Sequence, residues 1–306
     1  MKIAIIGSGI AGLTAAHVLN REHEITVFEA DERIGGHTAT KDVELEGQRY
    51  AVDTGFIVFN DRSYPNFIKL MDQLDVASQP TEMSFSVSCA ETGLEYSGSN
   101  LNSLFAQRKN IVSPYFLRLV KDILRFNREA QRDLDSNRLA VDMTLGEYLQ
   151  QNGYSDGFMR HYLIPMTAAI WSASTPVVMG FPLVFFVRFF KNHGLLSIND
   201  RPQWRTIIGG SRRYLDPLTQ TFSDRIRTGC PVHSVRRNAT GAQVHSERFG
   251  TEQFDQVVFA THSDQALALL ADPTPAESEV LEAVPYQVND VVLHTDERLL
   301  PRLRST

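Results

Sequence analysis

The six residues Gly7-Ser8-Gly9-Ile10-Ala11-Gly12 constrain this chain more than any other stretch, because of what stands on either side of them. Before them runs Lys2-Ile3-Ala4-Ile5-Ile6, a short continuous apolar segment of the kind that forms a parallel strand covered on both faces. After them, Ala11 to Leu19 reads as a helix, and Glu24 to Phe28 as a second strand ending at Glu29. Strand, glycine turn, helix and strand in this order make a βαβ unit. In that setting G-x-G-x-x-G has a mechanical meaning. The first glycine permits a tight turn, the second lets main chain approach a pyrophosphate, and the third lets helix and strand pack closely. Free N–H groups at the helix start attract the anion. Glu29 lies 22 residues beyond Gly7, where a carboxylate accepts hydrogen bonds from the ribose hydroxyls of a dinucleotide.

Both NAD and FAD use this fingerprint, and the residues after the second strand discriminate between them. In Glu29-Ala30-Asp31-Glu32-Arg33-Ile34-Gly35-Gly36-His37-Thr38, a second glycine pair past the ribose carboxylate offers another backbone approach to the pyrophosphate, with Arg33 supplying charge. Nicotinamide dehydrogenases have no general need of this second loop, so FAD is the expected cofactor.

The rest of the chain frames that unit. Its 306 residues allow two domains, and a hydrophobic fraction of 42% with 22% charged residues is ordinary for a globular protein. A formal charge of −6 argues against nucleic acid as a partner. Cys89 and Cys230 stand far apart in no metal-like spacing, which fits a reducing, cytoplasmic setting. Nine histidines form no H-x-x-x-H or H-E-x-x-H pair, so no metal is expected. The apolar stretch up to Leu19 superficially resembles a signal peptide, but three glycines break it and Asn20-Arg21-Glu22 follows, so strand plus helix is the better reading.

After Tyr50 the pattern changes. Ser63 to Leu74 has helical spacing, and Met83 to Ser88 alternates like a strand with one solvent face. Pro114 to Leu134 is the longest helical pattern, with Phe116, Leu117, Val120, Ile123, Leu124 and Phe126 expected opposite its cations. Leu145 to Gln151 and Asp156 to Ile170 continue the helical character. Sheet returns at Thr206 to Ile208, followed by Gly209-Gly210-Ser211 and a helix over Tyr214 to Phe222. Val232 to Val235, Gln243 to Ser246 and Val257 to Phe259 read as strands, Ser263 to Leu270 as a helix, and Gln287 to His294 as a strand. The expected architecture is α/β: a Rossmann-like FAD-binding domain with a central parallel sheet (residues 1–80 and 205–285), interrupted by a helix-rich α+β substrate domain (81–204 and 286–306).

With these motifs in view, the chain resembles the flavin-containing amine oxidase and phytoene desaturase superfamily, whose second motif reads approximately R-x-G-G-R-x-x-[ST] and so is of GR2 type. His37 stands where that motif has its second arginine, as a pyrophosphate neighbour or a passive loop residue. The resemblance implies that Asp53-Thr54-Gly55-Phe56 passes beside the flavin ring and that Gly209-Gly210-Ser211 re-enters the FAD domain. It also implies that Val232, in Cys230-Pro231-Val232, meets the adenine, and that Phe259-Ala260-Thr261 leads back to the cofactor. The cofactor set is then Gly7, Gly9, Ile10, Ala11, Gly12, Glu29, Ala30, Arg33, Gly35, Gly36, His37, Thr38, Gly55, Phe56 and Val232. More narrowly, Asp53 to Asn60, Tyr64-Pro65-Asn66-Phe67 and Pro165 to Ser172 resemble bacterial FAD-dependent oxidoreductases associated with cyclopropane fatty-acid synthases. That resemblance implies an acyl-lipid-related oxidation; amines and polyenes stay open as substrates, with the hydrophobic insertion favouring a lipophilic molecule.

No catalytic side chain is assigned, because flavin N5 accepts the hydride. Trp171 lines a substrate pocket with Phe181 or belongs to the core. Met179 to Phe190 forms a substrate tunnel, a peripheral membrane contact or, as the preferred reading, a core helix. Relatives close with a further glycine-rich flavin contact that is not found before Thr306, so the expectation is a shortened chain with weakened FAD retention. Two other readings stay open: an NAD(P)-dependent dehydrogenase using the first fingerprint only, and a non-catalytic dinucleotide-binding protein. Oligomeric state is not read from the sequence.

Overall fold

Lys2–Ile6 (β1) is buried from Ile3 to Ile6, and Glu24–Phe28 (β2) from Ile25 to Phe28, so both strands lack a solvent face. A computed structural model, describing residues 1–197, 200–304 and 306, places them at the centre of a four-stranded parallel sheet. The order is β5-β2-β1-β9, with β5 at Ile226–Arg227 and β9 at Gln256–Phe259. β1 pairs Lys2 with Glu24 through Ile6 with Phe28 on one side, and Ile3 with Gln256 through Ile6 with Phe259 on the other. The helix Ile10–Leu19 (α1) returns between β1 and β2 and buries Gly12, Leu13 and Ala16.

The chain forms two compact units. The first comprises Met1–Phe59, Asn66–Pro80 and Arg205–Asp290, and holds this sheet. It also holds a hairpin, Thr40–Leu45 (β3) with Gln48–Asp53 (β4), joined through Glu46 and Gly47, both at positive φ. Two such residues form the short turn whose twist suits a hairpin. An antiparallel sheet of Val232–Asn238 (β6), Gly241–Ser246 (β7) and Gly250–Phe254 (β8) lies in the same unit. Val232, Val235, Val244 and Phe254 bury their side chains together with Ile6, Phe28 and Cys230.

The second unit comprises Asn60–Pro65, Thr81–Trp204 and Val291–Thr306. Its longest element, the helix Pro114–Asp135, starts with a Ser113 side-chain cap and a proline in its first turn, where a missing N–H costs nothing. The buried face differs from the expected one: Leu117 and Leu124 are 44% and 49% exposed, while Phe116, Leu119, Asp122, Phe126 and Asn127 turn inward. Asp122 tolerates burial because Arg118 (3.0 Å) and the Ser155 N–H (3.0 Å) both reach its carboxylate. Around Phe126, Tyr148, Tyr154, Phe158, Phe186 and Phe190 form the unit's core.

The expected helix over Asp156 to Ile170 is interrupted by a π-helical turn, Met159–Leu163. Pro165 accounts for it, since proline has no N–H to return to the carbonyl of His161. The Tyr96 hydroxyl donates to that carbonyl instead, at 2.6 Å. Helical structure then runs from Ile164 to Trp171 and stops at Ser172, which has φ 51°.

Other expectations need correction. Gln287 to His294 forms no strand: residues 285–296 lack regular structure, and no ladder is there to satisfy a strand's backbone groups. The strand expected from Met83 begins only at Ser86, and Tyr214 to Phe222 is a 3-10 turn, Ser211–Tyr214, leading into the helix Leu215–Thr219. A helix at Pro275–Glu282 was not expected, although Thr274 and Glu277 form a reciprocal capping box at its start. The Arg237 guanidinium, then the Thr274 N–H and hydroxyl, pull the Glu277 carboxyl down to about 2. A depressed carboxylate contributes stability above its unfolded pKa and loses it as pH falls towards the folded one. NMR titration should therefore find this helix start fraying between about pH 4.5 and 2. A Glu277 titrating at the ordinary value would remove Arg237 from the cap.

Candidate functional site

All the glycines of both motifs converge at the C-terminal ends of β1 and β2, where ligands bind in open parallel sheets. Gly7 turns the chain out of β1 at φ 103°, its N–H bonded to the Phe28 carbonyl at 2.8 Å. A Cβ there would stand 2.5 Å from the Ala260 carbonyl oxygen, at the end of β9. At Gly12 a Cβ would stand 2.0 Å from the Gly7 oxygen, so this glycine is required by the seating of α1 on the strand turn.

Gly9 is different. It has ordinary dihedrals (φ −66°, ψ 177°), and a Cβ built on it meets nothing within 4 Å. Neither strain nor any protein atom demands a glycine there. The open space lies over the first turn of α1, whose leading N–H groups have no carbonyl one turn back. A bound diphosphate fits both facts. The second glycine pair closes on the same place: Gly35 bridges to Gly9, its N–H donates to the Ser8 carbonyl at 2.9 Å, and a Cβ on Gly36 (φ 55°) would come within 3.2 Å of the Gly9 Cα.

Glu29 sits at the end of β2, half-buried, and its carboxylate accepts from the Asp31 N–H at 2.9 Å and the Ser8 N–H at 3.0 Å. The Ser8 hydroxyl donates to it as well. Ser8 thus ties the first motif to the acid at the end of β2, a link that the pattern G-x-G hides by treating its middle position as free. Arg33 braces the second turn, donating to the carbonyls of Gly36 (2.9 Å) and Thr38 (3.2 Å). Thr38 is buried with its hydroxyl on Tyr214. Ile10, Ala11, Ala30, Arg33, Gly36 and His37 are exposed around the opening. His37 stacks on His262 (ring centres 5.9 Å apart), and His262 on Tyr286 (4.5 Å). Neither His262 nor Tyr286 was marked by any motif.

The Asp53 segment is tied to the same loops. The Asp53 carboxylate accepts from the Ser211 N–H at 3.0 Å, the Ser211 hydroxyl at 2.8 Å and the Thr40 hydroxyl at 2.6 Å. Two residues on, a Cβ at Gly55 would stand 2.2 Å from the His37 carbonyl oxygen, to which the Phe56 N–H donates at 3.0 Å. The Phe56 ring packs edge-on against Phe67 at 5.1 Å. Val232 is buried at the start of β6, two residues past Cys230, whose N–H donates to the Glu29 carbonyl at 2.8 Å.

In the second unit, Trp171 packs on Phe181 (5.1 Å) and Phe189 (4.6 Å), against the core. A separate cavity of about 520 Å³ lies between Ser84–Cys89 and the π-turn, where Arg160, His161, Pro165 and Ala169 line it. Burial and the neighbouring Arg160 hold His161 below the usual histidine range, and its Nδ1 meets the Tyr115 hydroxyl at 2.7 Å. Among the described residues no cluster of His, Cys, Asp or Glu is arranged for a metal ion.

A parallel α/β sheet whose strand ends hold two glycine turns and an acid around open space defines a dinucleotide-binding protein of the Rossmann type. The family model for flavin-containing amine oxidoreductases matches residues 10–305, and the chain belongs to that family, whose cofactor is FAD. Among curated relatives, a putative flavin-containing monoamine oxidase of Mycobacterium tuberculosis is 22% identical over 89% of this chain and 59% of its own length. Among solved structures, cyclohexylamine oxidase from Brevibacterium oxydans has a TM-score of 0.71 at 18% identity, over 92% of this chain and 62% of that one. A CLA-producing fatty acid isomerase from P. acnes has a TM-score of 0.61 at 16% identity, over 92% and 63%. The chain thus spans about three-fifths of the length of these relatives.

Proposed function

We propose that this chain is the FAD-holding part of an oxidoreductase that removes hydride from a carbon of a small lipophilic molecule. What carries the reading is Gly9: a glycine with no intramolecular reason to be one, over a helix start and facing a second glycine turn. In this reading the amides of Ile10, Ala11 and Gly36 hold the diphosphate and Glu29 takes the ribose hydroxyls. Gly55 and Phe56 pass beside the ring, Val232 meets the adenine, and His37 neighbours the pyrophosphate at the position where the family motif has an arginine. When bound, FAD supplies a two-electron acceptor that dioxygen or another oxidant regenerates. Trp171 and Phe181 contribute apolar surface for substrate. A lipophilic substrate is supported by their aromatic surroundings and by the likeness in fold to a fatty acid isomerase.

The purified protein should show an oxidised-flavin absorbance spectrum that bleaches anaerobically with members of a panel of amines and unsaturated fatty acids. A nicotinamide signature in its place would substitute the dehydrogenase reading. Bound flavin that no panel member bleaches would leave the cofactor assignment standing and remove the substrate class.

A further inference from the structure

From Tyr96 to Lys121 the chain carries no acidic residue and four cations, Arg108, Lys109, Arg118 and Lys121, in a protein whose formal charge is −6. All four are exposed. Arg118 pairs with Asp122, while Lys109 and Lys121 have no acidic partner among the described residues. Before and between the cations stand aliphatic side chains that the fold does not bury: Leu101 is 76% exposed, Ile111 51% and Val112 79%. This is not a slack loop. Asn100 and Ser103 cap one turn reciprocally, Ser113 caps the long helix, and the Phe105 ring packs on Phe116 at 5.7 Å, with Phe116 itself on Tyr96 at 5.4 Å. A held element that shows aliphatic side chains among unpaired cations has the composition of one lying in a membrane interface.

We propose that the surface Leu101–Lys121 rests on a lipid bilayer bearing anionic head groups, with Leu101, Ile111 and Val112 entering the acyl boundary and Lys109 and Lys121 meeting phosphates. The aromatic stretch Met179 to Phe190 offers less surface for this role, since Leu183, Phe186, Val187 and Phe190 are at most 1% exposed and Phe185, at 54%, is its one large apolar side chain exposed to that degree. The proposal is independent of flavin binding. It concerns an adsorbed surface, and no described helix is long and apolar enough to cross a membrane.

Flotation of the full chain with vesicles tests it. The protein should float with vesicles containing about a third phosphatidylglycerol and stay behind with pure phosphatidylcholine, and high salt should weaken the association. Lys109→Glu with Lys121→Glu should cut partitioning at least about tenfold, and Val112→Asp by a similar factor, with far-UV circular dichroism unchanged in both. Failure to float with either vesicle, or equal flotation of the variants, overturns it. Retention on single-stranded DNA without flotation would also overturn it, by making the patch a nucleic-acid surface.

Discussion

Gly9→Ala should yield a folded protein that has lost its cofactor. The added methyl meets no protein atom and asks for no unusual dihedral, so unfolding in urea should shift by less than about 0.5 kcal/mol. It would stand where the diphosphate approaches main chain, and FAD affinity should fall by roughly 100-fold, about 3 kcal/mol. Gly12→Ala, three residues on, should fail in the opposite way. Its methyl would be 2.0 Å from the Gly7 oxygen, so α1 and the strand turn must separate. A loss of at least about 3 kcal/mol in stability is expected whether or not flavin is present. Measuring urea midpoints and flavin affinity on both variants separates the roles. If Gly9→Ala keeps its flavin at wild-type affinity, the space above that residue is not where the cofactor lies.

The second large effect is expected at Asp53. Its carboxylate is the acceptor for the Ser211 N–H, the Ser211 hydroxyl and the Thr40 hydroxyl, and Ser211 is 1% exposed. Asp53→Ala leaves these donors without that acceptor at a site water does not reach freely, which costs about 3 kcal/mol. Asp53→Asn keeps one side-chain oxygen and should lose about half as much. Because Gly55 and Phe56 follow directly, the loop holding the His37 carbonyl should loosen too, seen as faster amide exchange at Phe56. An Asp53→Ala protein as stable as the parent would show that the Gly209-Gly210-Ser211 turn is held by something else.

What could be seen in the sequence was what local rules determine. β1, α1 and β2 emerge because an unbroken apolar run, a glycine turn and a β-branched run are each read from neighbouring residues. The glycines were legible for the same reason. Three kinds of information were hidden. Asp53 and Ser211 appear as unrelated motif fragments, and only the fold brings a carboxylate to an amide 158 positions away. Hydrophobic periodicity placed Leu117 and Leu124 inward, whereas ion pairing and a hydrogen bond let Asp122 take a buried position. The hairpin β3–β4 buries no side chain, and its apolar Val43, Leu45, Tyr50 and Val52 give only two brief alternations beside exposed Lys41, Asp42, Glu44 and Arg49, too short a period of two to mark it. The helix Pro275–Glu282 was missed because it lacks a clear apolar stripe, although the capping signal of Thr274, Pro275 and Glu277 marks its start.

The placement of β1 also dictates the schedule of assembly. Its first neighbour, β2, leaves the ribosome almost at once, but the second, β9, pairs Gln256 with Ile3 from the far side of the entire helical unit. At translation rates of ~5–20 residues per second, the innermost strand of the sheet waits roughly 10–50 s with one edge unmatched. During that interval an aggregation-prone ribbon of isoleucines must be shielded by α1 or by a chaperone. A strand made before most of its unit is thus among the last parts to be enclosed.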